Sequence, residues 1–166
     1  MPGGYRHFNL AITSKDGEVP FYIYNDRTRL DFPSSKLNTV DKEYAVSRFG
    51  GEKNFSEVIV KGMTFDSFLK ENGIDKIDIL MINCEGAEYG IFDQDGEFWQ
   101  KLGIVIITLH TGWGTKEQLR QIRHRIYDRF INIGFEQLGG HEREEIDTAD
   151  HNLEFFFQKL GYGRQA

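Results

Sequence analysis

Ile77-Asp78-Ile79-Leu80-Met81-Ile82-Asn83-Cys84-Glu85-Gly86-Ala87-Glu88 is the stretch whose reading decides the fold. Its first six residues are nearly all apolar, the pattern of a strand buried on both faces of a parallel sheet. Asn83, Cys84 and Glu85 then stand where that strand ends and a helix opens at Gly86. In open α/β sheets ligands bind beyond the carboxyl ends of the strands, so this junction is the first candidate site. Gly86 lets backbone approach a ligand closely. Glu85 and Glu88, three residues apart, share one face of the first helical turn. For Glu88 a plainer reading stands equally: carboxylates favour helix N-termini through the macrodipole, with no part in chemistry.

Working outward, the chain alternates strands with helices. Ile104-Val105-Ile106-Ile107-Thr108-Leu109 is a second buried strand. Thr115 and Gln118 fit a capping box, and Leu119, Ile122, Ile126, Phe130 and Ile133 form one apolar helical face closed by Gly134. Phe135 to Leu138 and Leu153 to Lys159 read as two closing strands around a polar loop. Upstream, Thr64 caps a helix through Phe65, Phe68 and Leu69 that ends at Gly73, and Val58-Ile59-Val60 precedes it as a short strand. Asn25 to Glu57 reads as a long loop with one short helix. Phe8 to Thr13 and Glu18 to Tyr24, joined by the turn residues Lys15-Asp16-Gly17, suggest a β-hairpin. Such an alternation predicts an α/β fold with a mostly parallel sheet, an N-terminal β-hairpin and an antiparallel C-terminal strand, all in one domain over 1–166.

The totals bound the function. A formal charge of −6 argues against general nucleic-acid binding, which needs a basic footprint. Cys84 is the only cysteine, so no intrachain disulfide forms and a reducing, cytoplasmic setting is expected. The residues from Met1 to His7 lack the apolar run of a signal peptide, and no stretch is long enough to span a bilayer. No membrane partner is therefore expected.

The stretch from Ile77 to Glu88 resembles the signature of FkbM methyltransferases, which runs approximately I-D-L-L-K-I-D-V-E-G-A-E. Three neighbours are similar in the same order. Thr64-Phe65-Asp66-Ser67-Phe68-Leu69 resembles the family's T-L-D-x-F-L element, and Asn9-Leu10-Ala11-Ile12 with Asp16-Gly17 resembles its N-x-A-I…D-G hairpin. Asn152 to Phe157 is similar to its last strand. The resemblance implies a Rossmann-like methyltransferase fold and S-adenosylmethionine as cofactor. It further implies O-methylation of a hydroxyl on a sugar or glycosylated natural product. Carried over residue by residue, it makes His110 the expected base, with Glu85 second and Asn83 orienting cofactor or acceptor. Asn9, Ala11, Asn83, Glu85 and Gly86 are then the expected cofactor contacts. Two departures stand out: Asn83 where the family usually has Asp, and Met81 where it usually has Lys.

The family also opens with a strand, a glycine-rich turn and a second strand ending in an acid. Here the hairpin begins within ten residues of Met1, so a truncated, partial Rossmann-like domain is expected. The alternative function is then a non-catalytic remnant or subunit of a split methyltransferase, acting through protein contacts. Without those two strands, Ile77–Ile82 is expected to present a bare edge. Either the hairpin slides across to pair with it, or a second copy supplies the neighbour in a homodimer.

Other groupings read more plainly. Gly112-Trp113-Gly114 is a turn, because a lone G-x-G lacks the rest of a dinucleotide fingerprint. His141, Glu142, Glu145, Asp147, Asp150 and His151 match no helical metal-ligand spacing and read as a solvated loop, so no metal is expected. Lys116, Arg120, Arg123, Arg125 and Arg129 read as the exposed side of an amphipathic helix, and Cys84 as a small packing residue.

Overall fold

The computed structural model describes residues 4–24, 39–49, 54–111 and 114–163. The turn expected at Gly112 and Trp113, and most of the loop expected over Asn25–Glu57, lie outside them. Strands β1 (Ala11–Ile12) and β2 (Gly17–Tyr24) lead to helix α1 (Lys42–Phe49) and strand β3 (Phe55–Met63). Then come α2 (Phe65–Glu71), β4 (Ile77–Ile82), α3 (Ala87–Phe92), α4 (Phe98–Lys101) and β5 (Leu102–Leu109). Helix α5 (Lys116–Asn132), β6 (Phe135–Gly140), a 3₁₀ turn over Arg143–Asp147 and β7 (Leu153–Lys159) complete the order.

These strands form two mixed sheets, β1-β3-β2 and β4-β5-β7-β6. The mostly parallel sheet expected from the sequence is corrected here: only β1 with β3 and β4 with β5 run parallel, while β2/β3, β5/β7 and β6/β7 are antiparallel. The N-terminal hairpin is corrected too. β1 and β2 do not pair with each other; they flank β3, with Ala11 and Gly17 both set opposite Gly62. The Lys15-Asp16-Gly17 turn therefore carries the chain across β3. This crossing needs Gly62, since a Cβ there would lie 2.8 Å from Val19 Cγ1 and 3.0 Å from Thr13 Oγ1. Asp16 also ties the turn to α2, accepting from the Thr64 amide at 2.7 Å and the Ser67 hydroxyl at 2.6 Å.

The main core lies between the four-stranded sheet and helices α3, α4 and α5. Leu119, Ile122, Ile126 and Phe130 of α5 face Val105, Ile107 and Leu109 of β5 and Phe155 and Phe157 of β7. Phe130 stacks on Phe157 with centroids 4.4 Å apart and meets Trp99 edge-on at 5.1 Å. Asp66 of α2 starts α4, accepting from the amides of Glu97 and Phe98 at 3.1 and 2.6 Å.

The opposite face of this sheet is different. Ile79 and Met81 are 62% and 71% exposed, so the expectation that β4 is buried on both faces does not hold. The cause is its position: β4 is the edge strand, paired only with β5, and among the described residues no layer covers Ile79 and Met81. The hairpin segment does not slide across to it, because β1 and β2 both pair with β3. No helix among the described residues is long and apolar enough to cross a membrane.

Candidate active site

Because β4 and β5 are parallel neighbours, their carboxyl ends lie side by side. The residues just beyond them, Glu85 and Glu88 after β4 and His110 after β5, meet there. The turn that brings them together bends sharply: Glu85 has φ 50°, and Gly86 follows at φ 91°. A left-handed glutamate costs on the order of 1–3 kcal/mol, and such a residue persists only where its surroundings hold it.

Glu88 supplies that hold. It is fully buried, and its Oε1 accepts from both the His110 amide and the His110 ring Nδ1, each at 2.8 Å. Its Oε2 accepts from the Gly86 amide at 3.0 Å and the Cys84 thiol at 3.4 Å. One carboxylate thus bolts the β4–α3 turn to the end of β5. The other ring nitrogen of His110, Nε2, lies 3.4 Å from Glu85 Oε1. Burial works to lower the His110 pKa, but the hydrogen bonds and charges of Glu85 and Glu88 together outweigh it and raise it to about 9. At neutral pH His110 is therefore an imidazolium held between two carboxylates. Its side chain is 5% exposed and that of Glu85 20%, so Glu85 is the more accessible member. Burial, then the charge of Glu88, pushes the Cys84 thiol well up, which suits packing rather than nucleophilic attack.

Beneath the cluster lies a second polar layer. The Tyr89 hydroxyl donates to the His110 carbonyl. Arg123 donates from Nε to the Tyr89 oxygen at 3.3 Å, and from one terminal nitrogen to the carbonyls of Leu109 at 3.0 Å and His151 at 3.1 Å. Arg123 is only 1% exposed, which corrects its reading as part of the solvent side of α5. The signal was present: position 123 follows Leu119 by four and precedes Ile126 by three, within the apolar stripe.

Of the residues chosen from sequence, the structure brings Glu85, Gly86 and His110 together and adds Glu88 at the centre. Asn83 is exposed, and no hydrogen bond among the described residues ties it to the cluster. Asn9 is likewise exposed before β1, and Ala11 is half-buried in β1 opposite Gly62. Two clefts adjoin the cluster. One of about 300 Å³ lies between Gly86 and Ala87 on one side and Thr13, Lys15 and Val19 on the other. A larger one of about 700 Å³ runs from Thr111 past Thr115, Arg120 and Arg123 to Asp147 and Asp150. The polar loop expected to be merely solvated gathers His141, Glu145 and His151 at one point.

Charged side chains thus collect beyond the carboxyl ends of two parallel strands of an α/β domain, the position at which open α/β sheets hold their ligands. The family model of the methyltransferase FkbM domain matches residues 3–162, and the chain belongs to that family. No curated protein and no solved structure matches the chain.

Proposed function

We propose that this domain transfers a methyl group from S-adenosylmethionine to a hydroxyl of a sugar or glycosylated small molecule, with the Glu85–His110–Glu88 cluster at the reacting end. The observation that carries this reading is the cluster itself, a partly open carboxylate backed by a buried imidazolium in an FkbM domain. The donor set fits the cofactor: a carboxylate complements a sulfonium, and Asn83 and Gly86 beside it offer an amide and close backbone. Asn83, Glu85 and Gly86 would hold its methionine end, with Ala11 of β1 and Asn9 just before that strand as further contacts. When bound, S-adenosylmethionine supplies an electrophilic methyl group.

The chain's own residues then have separable roles. A methyl-accepting hydroxyl must lose its proton, and an imidazolium that already carries both ring protons cannot take it. The base role expected of His110 passes to Glu85, whose carboxylate receives the hydroxyl proton while the oxygen gains the methyl group. His110 is a positioning residue: it holds Glu85 in its left-handed turn, and Glu88 holds His110. The larger cleft, lined by Thr111, Thr115, Arg120, Asp147 and Asp150, offers the donors and acceptors that a polyhydroxylated acceptor needs. The test is label transfer from S-adenosylmethionine to a panel of glycosides. Glu85→Gln is expected to lower transfer by about 10²–10⁴-fold in a chain that still unfolds cooperatively, at a somewhat lower midpoint because one of the two carboxylates flanking His110 is lost. Equal rates for wild type and Glu85→Gln would remove the carboxylate from the reaction.

One observation favours a second reading. β4 ends its sheet with an unpaired edge among the described residues, and Ile79 and Met81 stand exposed beside it. In that reading the chain is a subunit whose β4 is covered by a second copy, and the assembly, active or not, is the functional form.

A further inference from the structure

We propose that His141, Glu145 and His151 form a binding site for one zinc-class divalent metal ion, separate from the Glu85–His110–Glu88 cluster. The three residues come from different parts of the β6–β7 connection: His141 just after β6, Glu145 in the 3₁₀ turn, His151 just before β7. One ligand atom from each lies within 4.8 Å of the others, and the two imidazole rings are 5.4 Å apart. Tetrahedral zinc at roughly 2.0–2.2 Å from nitrogen and oxygen ligands needs them about 3.3 Å from one another. The contraction required is up to about 1.5 Å, and the His151 side chain, 57% exposed, has room to supply it.

The chemistry around the three ligands suits a metal. The carboxylate is already oriented: Glu145 Oε1 accepts from the Glu142 amide at 2.8 Å, leaving its other oxygen for a ligand bond. His141 Nδ1 accepts from the Glu154 amide at 2.9 Å and lies 3.2 Å from the Glu154 carbonyl. Ligation through Nε2 therefore requires the ring to give up the amide bond and donate an Nδ1 proton to that carbonyl, the usual outer partner of a ligating histidine. Asp150 Oδ1, 3.7 Å from His151 Nδ1, offers the same support to the second histidine after a small rotation. Two imidazoles and one carboxylate with a water in the fourth position favour Zn²⁺, Co²⁺ or Ni²⁺ over Mg²⁺ and Ca²⁺, which prefer all-oxygen sets. The surrounding Glu142, Glu144, Asp147, Asp150 and Glu154 add negative potential.

The ion would act as a clip. The segment between Glu145 and His151 carries Ile146, Asp147 and Asp150, which form one wall of the larger cleft. Joining its two ends to His141 fixes that wall, and it does so without touching the methyl-transfer cluster.

The experiment is calorimetric titration of the chelator-stripped full chain with Zn²⁺, and separately with Mg²⁺, at neutral pH. One Zn²⁺ per chain with micromolar or tighter affinity is expected, together with a rise in Tm and no response to Mg²⁺. Stoichiometric Co²⁺ is expected to give the visible absorption of a four-coordinate site. His151→Ala and Glu145→Gln should each weaken Zn²⁺ binding about tenfold or more while leaving the metal-free Tm nearly unchanged, since His151 is exposed and a glutamine at 145 keeps an oxygen for the Glu142 amide. His124→Ala is the control, because His124 of α5 and Asp147 of the 3₁₀ turn form a competing pair 2.9 Å apart. Absence of Zn²⁺ binding, binding undiminished in His151→Ala, or a loss in His124→Ala in its place would each overturn the assignment.

Discussion

Raising the pH from 6.5 to 9.5 is expected to destabilise this protein through one buried histidine. His110 has its pKa raised from the ordinary 6.5 to about 9, so across that window the folded chain holds a proton that the unfolded chain has released. The contribution is complete below about 6.5 and is lost as pH climbs through about 9. The interval between the two values, at roughly 1.36 kcal/mol per pH unit, amounts to about 3 kcal/mol. That is a large share of the 5–15 kcal/mol that typically holds a domain folded. Urea unfolding at half-unit steps of pH, read by far-ultraviolet circular dichroism, measures it. The m-value should stay constant while the midpoint falls. Glu88→Gln supplies the internal check: it removes the charge nearest the imidazolium and turns an acceptor into a donor facing buried amides, so stability should drop at pH 6.5 and the slope above it should flatten. A wild-type profile that is level between 6.5 and 9.5, with His110 titrating near 6.5 by NMR, would refute the reasoning.

Two further outcomes follow from the same geometry. Arg123→Leu keeps the bulk of the side chain but strands the carbonyls of Leu109 and His151, and should cost on the order of 1–3 kcal/mol in urea unfolding, whereas Arg125→Ala on the exposed side of α5 should change little. If a second copy covers β4, the paired substitution Ile79→Lys with Met81→Lys should convert a dimer to a folded monomer by light scattering; a wild-type chain that is monomeric at every concentration would end that reading.

The elements themselves were legible wherever a local pattern determines them. Thr115 and Gln118 announced the start of α5, and both bonds of the capping box are present, at 3.2 and 2.8 Å. The apolar stripe of α5 predicted its buried face, but chemistry misled at Arg123, because an arginine on such a stripe is buried only when carbonyls and a phenol wait for it. The pairing of β1 and β2 was not legible. The turn at Lys15-Asp16-Gly17 has the same composition whether its strands join each other or straddle a third, and the third arrives some forty residues later as β3. Nor can an apolar run reveal whether anything covers it, so β4 read as buried while Ile79 and Met81 stand exposed. The site was half visible. Glu85 and His110 each stand at the end of a readable strand, but that they touch depends on β4 and β5 being parallel neighbours. Glu88 read equally as a site residue and as a helix-start acid, and what decides between them, its two bonds to His110, comes from the fold.

The smaller sheet has a consequence for motion. Its own compact cluster consists of Tyr22 and Ala45 with Tyr24 and Phe55 beside them, whereas the four-stranded sheet is anchored by a large aromatic and aliphatic core. Regions with few buried apolar contacts open at a fraction of the global free energy. The smaller cleft has Thr13, Lys15 and Val19 of the lightly anchored part on one side, and Gly86 and Ala87 of the firmly anchored part on the other. Its width therefore follows the breathing of β1, β2 and β3. Amides of β5 and β7 are therefore expected to exchange with solvent only when the whole chain unfolds, and those of β2 on the timescale at which that cleft gapes and shuts, with the minor sheet as the moving jaw beside a fixed floor.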